Sequence, residues 1–89
     1  METQDARLKR MRMRSWRRGT KEMDLVLGPF ADAHLDSLGE ADLVLYDRIL
    51  SENDQDLLPW VLGQTPAPAE YAALLGRIAA FARERLGRT

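Results

Sequence analysis

Apolar positions recur at helical spacing along most of the chain, and five segments carry the pattern. In residues 4–16, Leu8, Met11 and Ser15 fall on one face, with Met13 and Trp16 on an adjoining one. Gly19 interrupts, and a second helix is expected from about Thr20. Its stripe is Met23, Val26, Leu27, Phe30 and His34, at i, i+3, i+4, i+7 and i+11. Pro29 lies inside that stripe. It lacks a backbone donor and crowds the preceding turn, so a kink or break is expected near residues 25–28. Ser37 and Glu40 have capping-box spacing and predict a third helix from there to about Leu50, burying Leu43, Tyr46, Ile49 and Leu50.

Asn53 reads as the N-cap of a short fourth helix, with Asp56 in its first turn. This helix carries Leu57, Leu58, Trp60, Val61 and Leu62 and stops at Gly63. Pro59 either tightens its first turn or marks where regular helix begins. Thr65, Pro66, Ala67 and Pro68 form a stiff turn into a fifth helix. That helix buries Tyr71, Leu74, Leu75, Ile78 and Ala82 and ends at Gly87. β-branched residues are scarce, so strands are not expected. The pattern predicts an all-α, compact five-helix bundle forming one domain over residues 1–89. Its core is expected to draw on Val26, Leu27, Phe30, Leu43, Leu50, Trp60, Val61, Leu74 and Ile78.

Composition narrows the function classes. At 89 residues the chain buries only about 60–65% of the surface its unfolded form exposes, which leaves little room for a pocket enclosing cofactor and substrate together. It has no cysteine and one histidine, His34, so thiolate chemistry and histidine-rich metal sites are excluded. No apolar run approaches the ~20 residues that span a bilayer. The P-loop, G-x-G-x-x-G and H-E-x-x-H motifs do not occur, and no nucleophile–base constellation can be placed.

Charge is strongly segregated although the net is −1. Residues 7–21 carry eight cations (Arg7, Lys9, Arg10, Arg12, Arg14, Arg17, Arg18, Lys21) and no acid, whereas residues 22–75 carry eleven acids against Arg48 alone. Such blocks create fields that steer partners. The basic block at residues 7–21 is therefore expected to face a partner or to sit beside the face that does. With Trp16 available to stack, it also supports an alternative reading as a small nucleic-acid-binding protein. His34, Trp16, Trp60 and the methionines read as packing residues or stripe-edge positions, and Asp54 and Asp56 as helix-start acids.

The junction from Arg17 to Glu22 carries two readings. In one it is only a helix start, with Gly19 as N-cap and Glu22 at N3 near the positive end of the dipole. In the other, Arg18 and Glu22 offer a donor fork and an acceptor beside a glycine that lets a partner backbone approach closely.

Arg18, Gly19 and Glu22, separated by Thr20 and Lys21, resemble the R-G-x-x-E signature of the succinate dehydrogenase assembly factor 2 family, called SdhE in bacteria. The context is similar too: a basic helix ending in Arg17 and Arg18, then Met23, Asp24 and Leu25, then Gly28, Pro29 and Phe30. Leu43, Tyr46 and Leu50 follow, and the acidic segment from Asn53 leads to Trp60. The likeness covers residues 7–85. It departs at Pro59, where the family more often has a polar residue, which puts the shape of the fourth helix in question.

The resemblance implies a five-helix assembly factor, not an enzyme. Family members bind the flavoprotein subunit of succinate dehydrogenase, and in some bacteria that of fumarate reductase. They promote the covalent bond between FAD and a histidine of that subunit. No cofactor or metal of its own is implied. Arg18, Gly19 and Glu22 are the implied contact residues, with Asp24 and Arg17 beside them. Glu2 and Asp5 are unlike a mitochondrial presequence, which avoids acids, so a cytoplasmic bacterial protein is expected.

Overall fold

The computed structural model describes residues 2–86, of Leu86 the backbone only. Five α-helices occur among them: α1 (Gln4–Trp16), α2 (Lys21–His34), α3 (Glu40–Leu50), α4 (Asp54–Leu62) and α5 (Ala69–Leu86). A single 3-10 turn, Leu35–Ser37, joins α2 to α3. No strand occurs among the described residues. The expected stop at Gly87 lies outside them.

The apolar stripes meet in one core. α2 lies between α1 and α5, while α3 and α4 each pack on α5. Met11, Met23, Leu27, Phe30, Leu35, Tyr46, Ile49, Leu57 and Ile78 are fully enclosed, and Val26, Leu43, Leu50, Val61 and Leu74 are buried around them. Trp60 is only partly buried; it packs on the core's edge, its ring 6.2 Å from that of Tyr71. Phe30 is the aromatic hub, stacked on Tyr46 at 6.0 Å and edge-on to Phe81 at 5.9 Å. His34 sits half-buried at the rim, 5.1 Å from Phe30 and 5.0 Å from Phe81. One polar pair enters the core: Ser15 and Tyr46 share a 2.6 Å hydrogen bond. Ser15 Oγ also reaches the Met11 carbonyl and the Tyr46 hydroxyl reaches that of Leu27, so neither group is stranded.

Two local expectations are overturned: a break in α2 at Pro29 and a capping box before α3. α2 runs unbroken through Pro29. Proline inside a helix costs about 3 kcal/mol, but each of Val26, Leu27 and Phe30 returns roughly 1.5–3 kcal/mol on burial, so packing outweighs the missing bond. The Ser37–Glu40 capping box does not form either. α3 starts at Glu40 behind Gly39, which supplies no side-chain cap. Ser37 closes the 3-10 turn by donating to the His34 carbonyl, and Glu40 instead accepts from Arg7 at 2.8 Å. An interhelical partner has won over the local one.

The fourth helix keeps its expected start and stop. Asn53 Oδ1 accepts from the Gln55 amide, and Gly63 ends the helix at φ 74°. Of the glycines described, Gly63 alone takes the left-handed conformation that disfavours a Cβ. α4 passes through Pro59 without interruption.

Candidate functional site

Residues 17–24 form the elbow between α1 and α2, and two carboxylates clamp it. Asp24 Oδ1 accepts the Arg18 amide at 2.6 Å. Asp54, the first residue of α4, accepts the Gly19 amide through Oδ2 at 2.9 Å. Its other oxygen takes Nε and Nη2 of Arg18 at 2.9 and 2.7 Å. The same guanidinium reaches the carbonyls of Leu50 and Glu52, at 2.5 and 2.8 Å. Leu50 ends α3, so Arg18 also satisfies a carbonyl that the helix leaves without an amide. The Arg18 side chain is only 9% exposed and that of Asp54 14%. The guanidinium is thus a rivet between the elbow and the α3–α4 connection, not a fork offered outward as the sequence suggested.

The helix start is shifted by one residue from the expectation. Thr20, not Gly19, is the N-cap, its hydroxyl accepting from the Met23 amide at 3.3 Å. Glu22 is therefore at N2. It is exposed, and no hydrogen bond or ion pair joins its carboxylate to Arg18 or to any other described residue. Gly19 is exposed as well. An added Cβ there would meet only Asp54 Oδ2, at an ordinary 3.5 Å, and its φ is not positive. Nothing among the described residues requires a glycine at 19. Gly28 is the opposite case, because a Cβ there would overlap the Trp16 ring. Trp16 covers it and donates to Asp32 at 3.2 Å, which makes it a packing residue although 40% exposed.

The five site residues therefore divide. Arg18 and Asp24 hold the elbow's shape; Gly19 and Glu22 lie on its open surface. Arg17 is exposed and makes no ion pair with a described residue. Asp54 was assigned to capping by the sequence, yet it is the residue that joins Arg18 to Gly19. The signal available was its redundancy: Asn53 already serves as N-cap, leaving the next acid free for another task.

The basic helix is largely neutralised within the fold. Arg7 pairs with Glu40, Arg10 with Glu2 and Asp47, Arg12 with Asp32 and Asp36, and Arg14 with Asp47. With Arg18 on Asp54, five of the eight cations in residues 7–21 are engaged. The Arg7 hydrogen bond holds the Glu40 carboxyl below the usual carboxylate range. Segregated charge along the sequence is thus intramolecular complementarity. It does not support the nucleic-acid reading. Among the described residues no helix is long and apolar enough to cross a membrane.

A family model described as flavinator of succinate dehydrogenase matches residues 9–82. The chain is 35% identical over 83 residues to the FAD assembly factor SdhE of Acetobacter pasteurianus, covering 92% of this chain and 76% of that protein. It is 38% identical over 65 residues to the FAD assembly factor SdhE of Haemophilus ducreyi, covering 72% and 79%. A mitochondrial succinate dehydrogenase assembly factor 2, from Schizosaccharomyces pombe, is 40% identical over 70 residues, covering 79% of this chain. The chain spans 50% of the length of that relative and 30% of another, from Mycosarcoma maydis.

Proposed function

The chain belongs to the family described as flavinator of succinate dehydrogenase, and on that premise we propose that it promotes covalent attachment of FAD to the flavoprotein subunit of succinate dehydrogenase. The observation that carries the reading is the elbow. Gly19 has neither a backbone nor a packing reason to be glycine among the described residues, and Glu22 is a carboxylate with no partner among them on the same exposed elbow. A surface left bare and charged, on a backbone clamped by Asp24 and Asp54, is arranged for contact with another protein.

In this mechanism the chain is not an enzyme and holds no cofactor of its own. Its Gly19 surface admits close approach of the flavoprotein backbone, Glu22 engages a donor or cation there, and Arg17 lies beside the contact. Arg18, Asp24 and Asp54 keep that surface rigid, so little ordering cost falls on binding. The flavoprotein, held in a competent arrangement, supplies the bond-forming chemistry at its own flavin. Fumarate reductase's flavoprotein subunit is a second client of the same kind, and the bacterial cytoplasm is the compartment.

The test is co-expression with the flavoprotein subunit, followed by denaturing electrophoresis and in-gel flavin fluorescence, which detects only covalently held FAD. Fluorescence that depends on this protein supports the reading. Equal fluorescence with and without it overturns the reading.

A further inference from the structure

Beside Glu22 the surface turns apolar. Glu22, Leu25, Val26, Leu58 and Leu62 line a hollow of about 280 Å³ between α2 and α4. A second hollow of about 150 Å³ shares Val26 and Leu62 with it and continues past Val61, Ala79 and Ala82 to Arg83 on α5. Leu25 is 44% exposed and Leu62 58%. Both belong to the few large apolar side chains the fold leaves in water, and here they flank one groove. Scattered exposed leucines need no explanation; two that border an apolar trough beside a carboxylate with no partner among the described residues do.

The elbow needs neither leucine. Its hydrogen bonds run to Asp24 within the elbow and to Leu50, Glu52 and Asp54 on the α3–α4 side, whereas the groove is lined by other residues of α2, α4 and α5. Glu22 lies at the groove's border and on the turn that carries Gly19, so the trough and the proposed contact surface are continuous. Burying Glu22 against a purely apolar partner would strand its charge. The occupant must therefore bring apolar side chains for the trough and a cation or strong donor for its acidic end.

We propose that the groove formed by Leu25, Val26, Leu58, Val61 and Leu62 is a docking trough for one apolar segment of the flavoprotein subunit. That segment carries Leu, Ile, Met or Phe side chains and a Lys or Arg placed to meet Glu22. The inference rests on the function proposed above and extends its contact from the elbow along α2 and α4. Gly19 and Glu22 then set the register, and the trough supplies buried apolar area.

The experiment measures binding of the purified flavoprotein subunit by calorimetry at several temperatures, for the wild type, Gly19→Arg and the double variant Leu25→Ser with Leu62→Ser. Both leucines are exposed, so the double variant should melt within a few degrees of the wild type. The expected result is at least about tenfold weaker binding for the double variant, with a smaller negative heat-capacity change. Wild-type affinity in the double variant overturns the trough, while loss of binding in Gly19→Arg leaves the function standing. A wild type that neither binds nor flavinylates the subunit overturns both. As a second measurement, a photo-crosslinker at Leu62 should capture a flavoprotein peptide with apolar side chains and a Lys or Arg. Capture of this chain's own residues, or of a second copy, overturns the trough.

Discussion

Asp54 holds Arg18 through one carboxylate oxygen and the Gly19 amide through the other, linking the α1–α2 elbow to the start of α4. Because both side chains are sheltered, this pair differs from the ion pairs along α1. Exposed pairs contribute roughly 0–1 kcal/mol. Removing one member of a sheltered pair strands the other.

Asp54→Ala is expected to destabilise the protein by about 2–4 kcal/mol, since Arg18 keeps only its two carbonyl partners. Asp54→Asn should cost less, because its amide oxygen can still accept from the Gly19 amide or from Arg18. Urea denaturation of both variants measures the difference. If Asp54→Ala unfolds at the wild-type midpoint, the rivet contributes no more than a surface pair.

The open half of the elbow should behave in the reverse way. Glu22→Ala removes an N2 carboxylate worth at most ~1 kcal/mol to the helix. Gly19→Ala meets no steric obstacle inside the fold. Both should melt near the wild type. Glu22→Ala and Gly19→Arg should nevertheless sharply reduce covalent flavin in the co-expression assay. Removing one member of a desolvated charge pair at an interface costs about 2–5 kcal/mol of binding, because the other member is left unpaired. Normal flavin fluorescence with Glu22→Ala would reduce Glu22 to a helix-start acid.

Gly28→Ala probes a glycine needed from within. Its Cβ would press into the Trp16 ring, which must swing away and give up its Asp32 bond. A cost of about 1–3 kcal/mol is expected. Since the clash needs both partners, Gly28→Ala should be cheaper in a Trp16→Ala background. A double-mutant cycle on thermal stability reads that coupling, and strict additivity would contradict the contact.

Alkaline stability should report Tyr46. Burial, only partly offset by the Ser15 hydrogen bond, pushes its hydroxyl up to about 12 from the ordinary 10.0. The folded state therefore keeps the proton when the unfolded chain begins to release it. Stability contributed by the neutral phenol is complete below pH 10 and falls between pH 10 and 12, by up to ~2–3 kcal/mol. Tyr71 is shifted in the same direction, chiefly by burial. Tyr46→Phe should flatten most of the decline in pH-dependent urea unfolding. An unchanged slope would place the titration elsewhere.

Much of the fold was legible because periodicity is local. α1 begins and ends where the stripe of Leu8 and Met11 predicted, and Asn53 and Gly63 bound α4 as their chemistry requires. Pro29 misled because a propensity penalty is visible in sequence, whereas the burial of Val26, Leu27 and Phe30 that outweighs it involves residues far along the chain. Ser37 and Glu40 misled for a related reason: Arg7 lies 33 positions away and claims the carboxylate.

The sequence by itself determined the helical class, most of the core and the three residues, Arg18, Gly19 and Glu22, that resemble the family's motif, because side-chain type and spacing carry that information without knowledge of contacts. Only the tertiary structure decided which of those residues face inward. Arg18 and Glu22 are both charged and four positions apart, and no local rule separates them. Arg18 is drawn inward because folding brings the Leu50 and Glu52 carbonyls and the Asp54 carboxylate to one point, where four of the five guanidinium N–H donors meet fixed acceptors. Glu22 finds no such set of donors among the described residues and stays exposed, beside a trough whose walls come from α2, α4 and α5.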